Sequence, residues 1–301
     1  MKIFSIIIPF KNNTSTLKRL FDSIPKSDSI EILLIENSDS PLTREQIGID
    51  REYILLNAKS SRYAGGARNV GVNHASGKWL IFADSDDFFS EQAFDVFNEY
   101  SNTEYDLIYF GCSSVYDDSL LPSDRHLSHM KILEDFQLGN VDEVYTKFYI
   151  VAPWAKMIKK EVVTENQIEF DEVIAANDIM FSTKVAFHSK CFHVDMRAAY
   201  IVTTRKGSLA HSWNEQILTS RFLVGIERNN FLKRNGYSEL QVSIMVYLYR
   251  AFKNNFFLFL KFLFITIVNK QNIFIGYKNW FVTMKNIKKD ENNKSKYIVN
   301  D

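Results

Sequence analysis

The chain has 301 residues, with 36 basic and 36 acidic side chains and no formal net charge. That length can bury a sizeable core as one large domain or two small ones, and the neutral balance argues against a general nucleic-acid binder. The balance is uneven, however: from Arg250 onward there are ten Lys or Arg and three Asp or Glu, a basic tail on an acidic body. Cys112 and Cys191 fall in no zinc spacing and read as free thiols of a reducing compartment.

In chain order, Ile3 to Phe10 reads as a buried strand rather than a signal core, because it runs into Lys11-Asn12-Asn13 with no small-residue cleavage site. Thr14 to Ile24 follows as a helix, Glu31 to Ile35 and Tyr53 to Leu56 as strands, Gly66 to Ala75 as a helix and Trp79 to Ala83 as a strand. A helix over Ser90 to Tyr100 and a strand over Leu107 to Phe110 complete this βαβ rhythm. Continuous runs such as Ile6-Ile7-Ile8 and Ile32-Leu33-Leu34-Ile35 suit strands covered on both faces of a parallel sheet. The pattern loosens from Gly111 to Ile150. It returns as helices over Trp154 to Glu165 and Asp178 to His188, then as long aromatic helices from Trp213 to Arg234 and from Leu240 onward.

The Trp79 strand ends in Asp84-Ser85-Asp86-Asp87, three carboxylates within four residues. A phosphatase of the haloacid-dehalogenase kind would want Thr where Phe88 stands. An EF-hand loop would want Gly and Glu where Phe89 and Asp95 stand. Two readings remain. One is a Mg²⁺ or Mn²⁺ site shared with substrate phosphates, and the other is a capped turn between strand and helix. Upstream, Tyr63 to Gly77 starts as a Gly loop and continues as a helix. Its N–H groups would cradle an anion, with Arg68 adding a charged contact to phosphate, or Gly65-Gly66 would serve only a tight turn.

Phe4 to Asn12, the Ala67-Arg68-Asn69…Gly77 segment and the Asp84 cluster, in that order and spacing, closely resemble glycosyltransferase family 2 over roughly residues 1 to 210. The resemblance implies an inverting enzyme with the GT-A fold: α/β, a mostly parallel central sheet with flanking helices, followed here by a C-terminal helical region. Residues 1–110 would form the nucleotide-sugar-binding half, 111–210 the acceptor-binding and catalytic half, and 211–301 a helical, aromatic and basic extension.

By the same resemblance Pro9, Glu36 and Asn37 would contact the nucleobase, Asp84 and Ser85 the ribose side of the donor, and Asp86 a metal bridging the diphosphate. Arg205-Lys206-Gly207-Ser208 would close over that diphosphate, with His211 as a second metal ligand or a phosphate contact, against a reading of it as a structural histidine. Asn37 stands where the family usually has an acid; UDP is the expected nucleotide. Asp178, opening a helix in the second half, would be the catalytic base, with Asn177 in place of the usual Glu; either residue would otherwise cap that helix. Trp154 and Lys156 would lie on the acceptor side, against a reading of Trp154 as plain core.

Phe256 to Val268 is an apolar stretch shorter than the ~20 residues of a spanning helix. With Arg250, Lys253 and the lysines that follow, it reads as a peripheral membrane contact in which Phe257, Phe259, Phe262 and Phe264 enter the interface. The alternative is packing on the catalytic body or on a second copy. The expected activity is metal-dependent transfer from a nucleotide sugar, a UDP-sugar, to a glycan or lipid-linked acceptor of a surface polysaccharide, at the cytoplasmic face of the plasma membrane. The rivals are a sugar nucleotidylyltransferase, which would need a Gly-rich loop where Lys11 to Leu20 has no glycine, and a non-catalytic nucleotide-sugar-binding protein.

Overall fold

The computed structural model describes residues 2–11, 14–38, 40–58, 63–205 and 213–275. Residues 2–173 with 177–205 form one compact unit, and residues 174–176 with the chain beyond 205 form a second.

The first unit contains β1 (Phe4–Phe10), α1 (Leu17–Asp22), β2 (Ile30–Glu36), α2 (Arg44–Ile47), β3 (Ile54–Asn57), α3 (Tyr63–His74) and β4 (Trp79–Phe82). It continues through β5 (Phe88–Phe89), α4 (Ala93–Glu99), β6 (Leu107–Tyr116), α5 (Leu127–Gln137), α6 (Glu143–Tyr149), β7 (Lys156–Lys159), α7 (Lys160–Glu165), α8 (Ile179–His188) and β8 (Phe192–Thr204). The sheet order is β3-β2-β1-β4-β7-β6-β8-β5. The β1–β2, β2–β3, β1–β4 and β6–β8 pairs are parallel, while β7 runs antiparallel to both neighbours and β5 antiparallel to β8.

Every residue of β1 and β2 is buried, as their unbroken apolar runs require. Phe4, Ile6 and Ile8 point to a layer closed by Leu17, Leu20 and Phe21 of α1 and Phe94 and Phe97 of α4. Ile7, Leu33 and Ile35 point to the other, with Ala67 and Val72 of α3 and Phe181 and Val185 of α8. Each such side chain contributes about 1.5–3 kcal/mol by leaving water.

Several expectations are corrected. Trp154 to Glu165 is not one helix: Trp154 lies in a loop, Lys156–Lys159 is a strand bridging β4 and β6, and only Lys160–Glu165 is helical. Its Met157-Ile158 pair fills a sheet slot, a tertiary demand invisible to local periodicity. The stretch 111–150 holds α5 and α6, the latter capped by Asp142, whose carboxylate accepts from Tyr145 N at 2.7 Å. Gly65 and Gly66 lie within α3 rather than in a loop. A Cβ on Gly65 would sit 2.0 Å from the Asp171 carbonyl oxygen, and one on Gly71 2.5 Å from Ile7, so these glycines permit close packing and not an anion cradle.

The second unit is helical: α9 (Glu215–Arg234), a 3₁₀ turn (Ser238–Leu240), α10 (Met245–Asn254) and α11 (Phe256–Val268). Asn214 starts α9 by accepting from Ile217 N, and Asn255 starts α11 by accepting from Phe257 N and Leu258 N. Phe222 of α9 and Phe262 of α11 stack at 3.9 Å in its core, so Phe262 is fully buried and unavailable to a membrane, contrary to expectation; Phe259 is half-buried.

Candidate active site

Strand order β3-β2-β1-β4 places the carboxyl ends of β1 and β4 side by side, which is where open α/β sheets bind ligands. The Asp84–Asp87 loop leaves β4 at that point. Long-range contacts hold its backbone: Thr16 Oγ1 donates to the Ser85 carbonyl at 2.8 Å, and Arg19 Nη2 to the Asp86 carbonyl at 2.8 Å. The Asp84 amide donates to the Tyr200 hydroxyl at 2.9 Å, and Asp87 Oδ1 accepts from Thr203 N at 2.7 Å. A mere surface turn would not be anchored from α1 and β8 together.

With the backbone pinned, the carboxylates face different surroundings. Asp87 is buried beneath the loop; burial pushes its carboxyl well up, and Asp84 and Asp86 add to the shift. Burial also raises Asp86, Asp84 raises it further, and Arg205 and Arg125 oppose. Arg205 Nη2 is 4.0 Å from Asp86 Oδ2. The clustered carboxylates therefore disfavour one another's charged forms.

Asp84 is paired with Arg68, Nη2 to Oδ1 at 2.6 Å. The same buried guanidinium donates from Nη1 to Asn177 Oδ1 at 2.9 Å and lies over the Phe170 ring, 5.4 Å from its centroid. Arg68 is thus engaged by Asp84 and Asn177. Next to Asn177 stands Asp178, the N-terminal flank of α8. Its side chain makes no capping hydrogen bond, so the helix-cap explanation for it fails. Burial and Asp84 push the Asp178 carboxyl up, while Arg68 and Lys156 pull it down. Backbone strain marks both flanks: Ala155 and Ala176 occupy the left-handed region, with φ of 52° and 64°.

Glu36 and Asn37, at the end of β2, are buried rather than a solvated turn. The Ser38 amide and hydroxyl donate to the Glu36 carboxylate, and Asn37 Nδ2 donates to the Tyr63 carbonyl at 2.7 Å, tying β2 to the start of α3. Pro9 is buried within β1 beside Ile35. Trp154 belongs to the core, stacked on Tyr200 at 5.7 Å, so it offers no open face to a sugar. Lys156 is buried as well, donating to the Ile150 carbonyl at 2.6 Å, and its amine is pushed down to about 7 by burial. That placement removes it from phosphate binding and leaves it as a charge acting on Asp178. His211 lies outside the described residues. Arg19, Arg125 and Tyr200 were missed by sequence reasoning; Arg19 and Tyr200 reach the loop across 67 and 116 positions, with no local signal.

A β3-β2-β1-β4 sheet with an acidic loop at its crevice is the plan of an α/β enzyme acting on nucleotide-bound substrates. Residues 5–166 match the model described as Glycosyl transferase family 2, and the chain belongs to that family and is a glycosyltransferase. It is 24% identical over 264 residues to glycosyltransferase GlyA of Streptococcus pneumoniae, covering 81% of this chain and 36% of GlyA, so it spans about a third of that relative. It is 25% identical over 287 residues to a cholesterol galactosyltransferase of Borreliella burgdorferi, covering 88% of this chain and 76% of that one. In fold it resembles the 1–349 fragment of S. aureus TarS in complex with UDP-GlcNAc, with TM-score 0.59, 22% identity and coverage of 85% and 74%; the fold is GT-A.

Proposed function

We propose that this enzyme transfers a sugar, with inversion, from a UDP-sugar to a hydroxyl of a glycan or lipid-linked glycan used in surface polysaccharide synthesis. The observation that carries this reading is the Arg68 bridge. One guanidinium binds Asp84 of the strand-end loop and Asn177 beside Asp178, which supports reading Asp84 as a donor-side acid and Asp178 as the base of one crevice.

Glu36 and Asn37 would meet the base and Asp84 with Ser85 the ribose side. Asp86 would hold Mg²⁺ or Mn²⁺ together with diphosphate oxygens, since its hard carboxylate oxygens suit such an ion and a cation would relieve the repulsion between Asp84 and Asp86. The ion would supply Lewis-acid neutralisation of the leaving diphosphate. Arg205 adds a cation on the same side. Asp178 takes the proton from the attacking hydroxyl on the opposite face of the sugar, and Arg68 and Lys156 keep enough of it ionised to do so.

The solvent-blocked Lys156 and core-bound Trp154 leave acceptor selection to other residues. A lipid-linked acceptor would bring the enzyme to the inner face of a membrane. A thermal-shift panel of nucleoside diphosphates and their sugars, with and without Mn²⁺, tests the donor assignment. Stabilisation by UDP or a UDP-sugar that needs metal is expected, whereas stabilisation by another nucleotide alone, or none by any, contradicts it.

A further inference from the structure

Helix α11 is apolar on all sides, yet only part of it is buried. Leu258, Phe262 and Thr266 face the core of the helical unit. Phe256, Phe257, Leu260, Phe264, Ile267 and Val268 are exposed, Phe257 at 79% and Phe264 at 68%. At 3.6 residues per turn these six fall within about a third of the helix circumference. Phe252, exposed at the end of α10, continues the surface, with its ring 5.5 Å from Phe259 and 6.4 Å from Phe256. A contiguous aromatic and aliphatic face of this kind is far beyond the scattered apolar residues of an ordinary surface.

Charge selects the occupant. Lys261 and Lys270 are exposed around this face, and from Arg250 to Ile275 there is no Asp or Glu. A second copy docked about a two-fold axis would set the same patch against itself, lysines included, with no carboxylate in this stretch to pair them. A bilayer interface with anionic headgroups satisfies both features: aromatic rings enter the headgroup boundary while lysine stems run along apolar surface and their ammonium groups reach phosphate.

We infer that the exposed face of α11, extended by Phe252, is an in-plane docking surface for an anionic lipid bilayer. The inference deepens the reading of a lipid-linked acceptor but does not need it, since vesicle binding is measured without donor or turnover.

The test is co-sedimentation of the full chain with phosphatidylcholine vesicles lacking or containing phosphatidylglycerol, together with light scattering to fix its oligomeric state. Binding to the anionic vesicles that weakens with salt is expected. The double variant Phe257→Ser, Phe264→Ser is expected to bind roughly tenfold or more weakly. Lys261→Glu with Lys270→Glu should abolish the preference for anionic vesicles, and unchanged circular dichroism will show that these exposed substitutions leave the fold intact. Failure of the wild-type chain to bind at low salt, equal binding by the Phe variant, or a stable dimer that ignores vesicles would overturn the proposal.

Discussion

Arg68 and Asp84 form the shortest ion pair at the crevice, 2.6 Å from Nη2 to Oδ1, and the other arm of the guanidinium reaches Asn177 at 2.9 Å. Lysine carries the charge but not the fork, so it can serve one partner and not both. Arg68→Lys is expected to lower kcat by about 100-fold with little change in KM, because what is lost is alignment of Asp178 and not donor affinity. Stability should fall by about 1–3 kcal/mol, since one of two half-buried partners is left unpaired. Steady-state kinetics and denaturant midpoints check both; a rise in KM at constant kcat would return Arg68 to the role of a donor contact.

Gly65 presses α3 against the Asp171–Asn177 turn that carries the base. With the added methyl 2.0 Å from a backbone oxygen, Gly65→Ala must push helix and turn apart. A loss of about 1–3 kcal/mol is expected from overpacking, with a fall in kcat because Arg68 and Asn177 sit on the displaced elements. Gly139→Ala serves as a control, since a Cβ there meets nothing within 4 Å, although its φ of +72° costs backbone strain without touching the site. Chemical denaturation and kinetics separate the two; equal loss of kcat in both variants would count against the linkage.

In its proposed role as the base Asp178 would work only when ionised, and its folded pKa is raised, chiefly by burial. The acid limb of kcat/KM should therefore lie above the ordinary aspartate value of ~3.9, activity being lost as pH falls through it. Lys156 opposes that rise, so Lys156→Met should move the limb to higher pH. A pH–rate profile of wild type and variant decides this; an unmoved limb would detach Lys156 from the base.

The buried acid loop makes a separate statement about stability. Asp87 is raised in the folded state, so the native protein binds more protons than the unfolded chain between ~3.9 and that raised value. Its contribution is therefore favourable at low pH and is lost as pH rises through the folded pKa. Asp87→Asn keeps an oxygen for the Thr203 amide while removing the charge. It should raise Tm at pH 7, with the difference from wild type shrinking on acidification. Comparing variant with wild type matters because His129, buried and held down to about 4, pulls the other way: its share of stability is lost as pH falls from ~6.5.

The first half of the fold was legible because β1, β2, α3 and β4 each owe their form to a local apolar pattern. Asp84, Asp86 and Asp178 follow or flank such elements, so their positions, though not their roles, were readable in the same way. What escaped was set by distant partners. Lys156 looks like a surface cation in a helical stretch, yet β7 is a strand only because β4 and β6 leave a slot between them. Gly65 looks like part of a loop, yet it lies in α3, where Gly65 and Gly71 mark close approaches to Asp171 and Ile7, far away in the chain. Phe262 and Phe264 are chemically alike and two residues apart, and only helix packing assigns one to the core and the other to solvent.

The central claim is that Asp178 deprotonates the acceptor at a crevice whose donor side is the Asp84–Asp87 loop. Asp178→Asn, assayed for sugar transfer and for donor binding by calorimetry, tests it most directly. In that variant kcat is expected to fall by about 10²–10⁴-fold while the donor dissociation constant stays within a few-fold of wild type. Transfer at the wild-type rate with an amide at position 178 would contradict it.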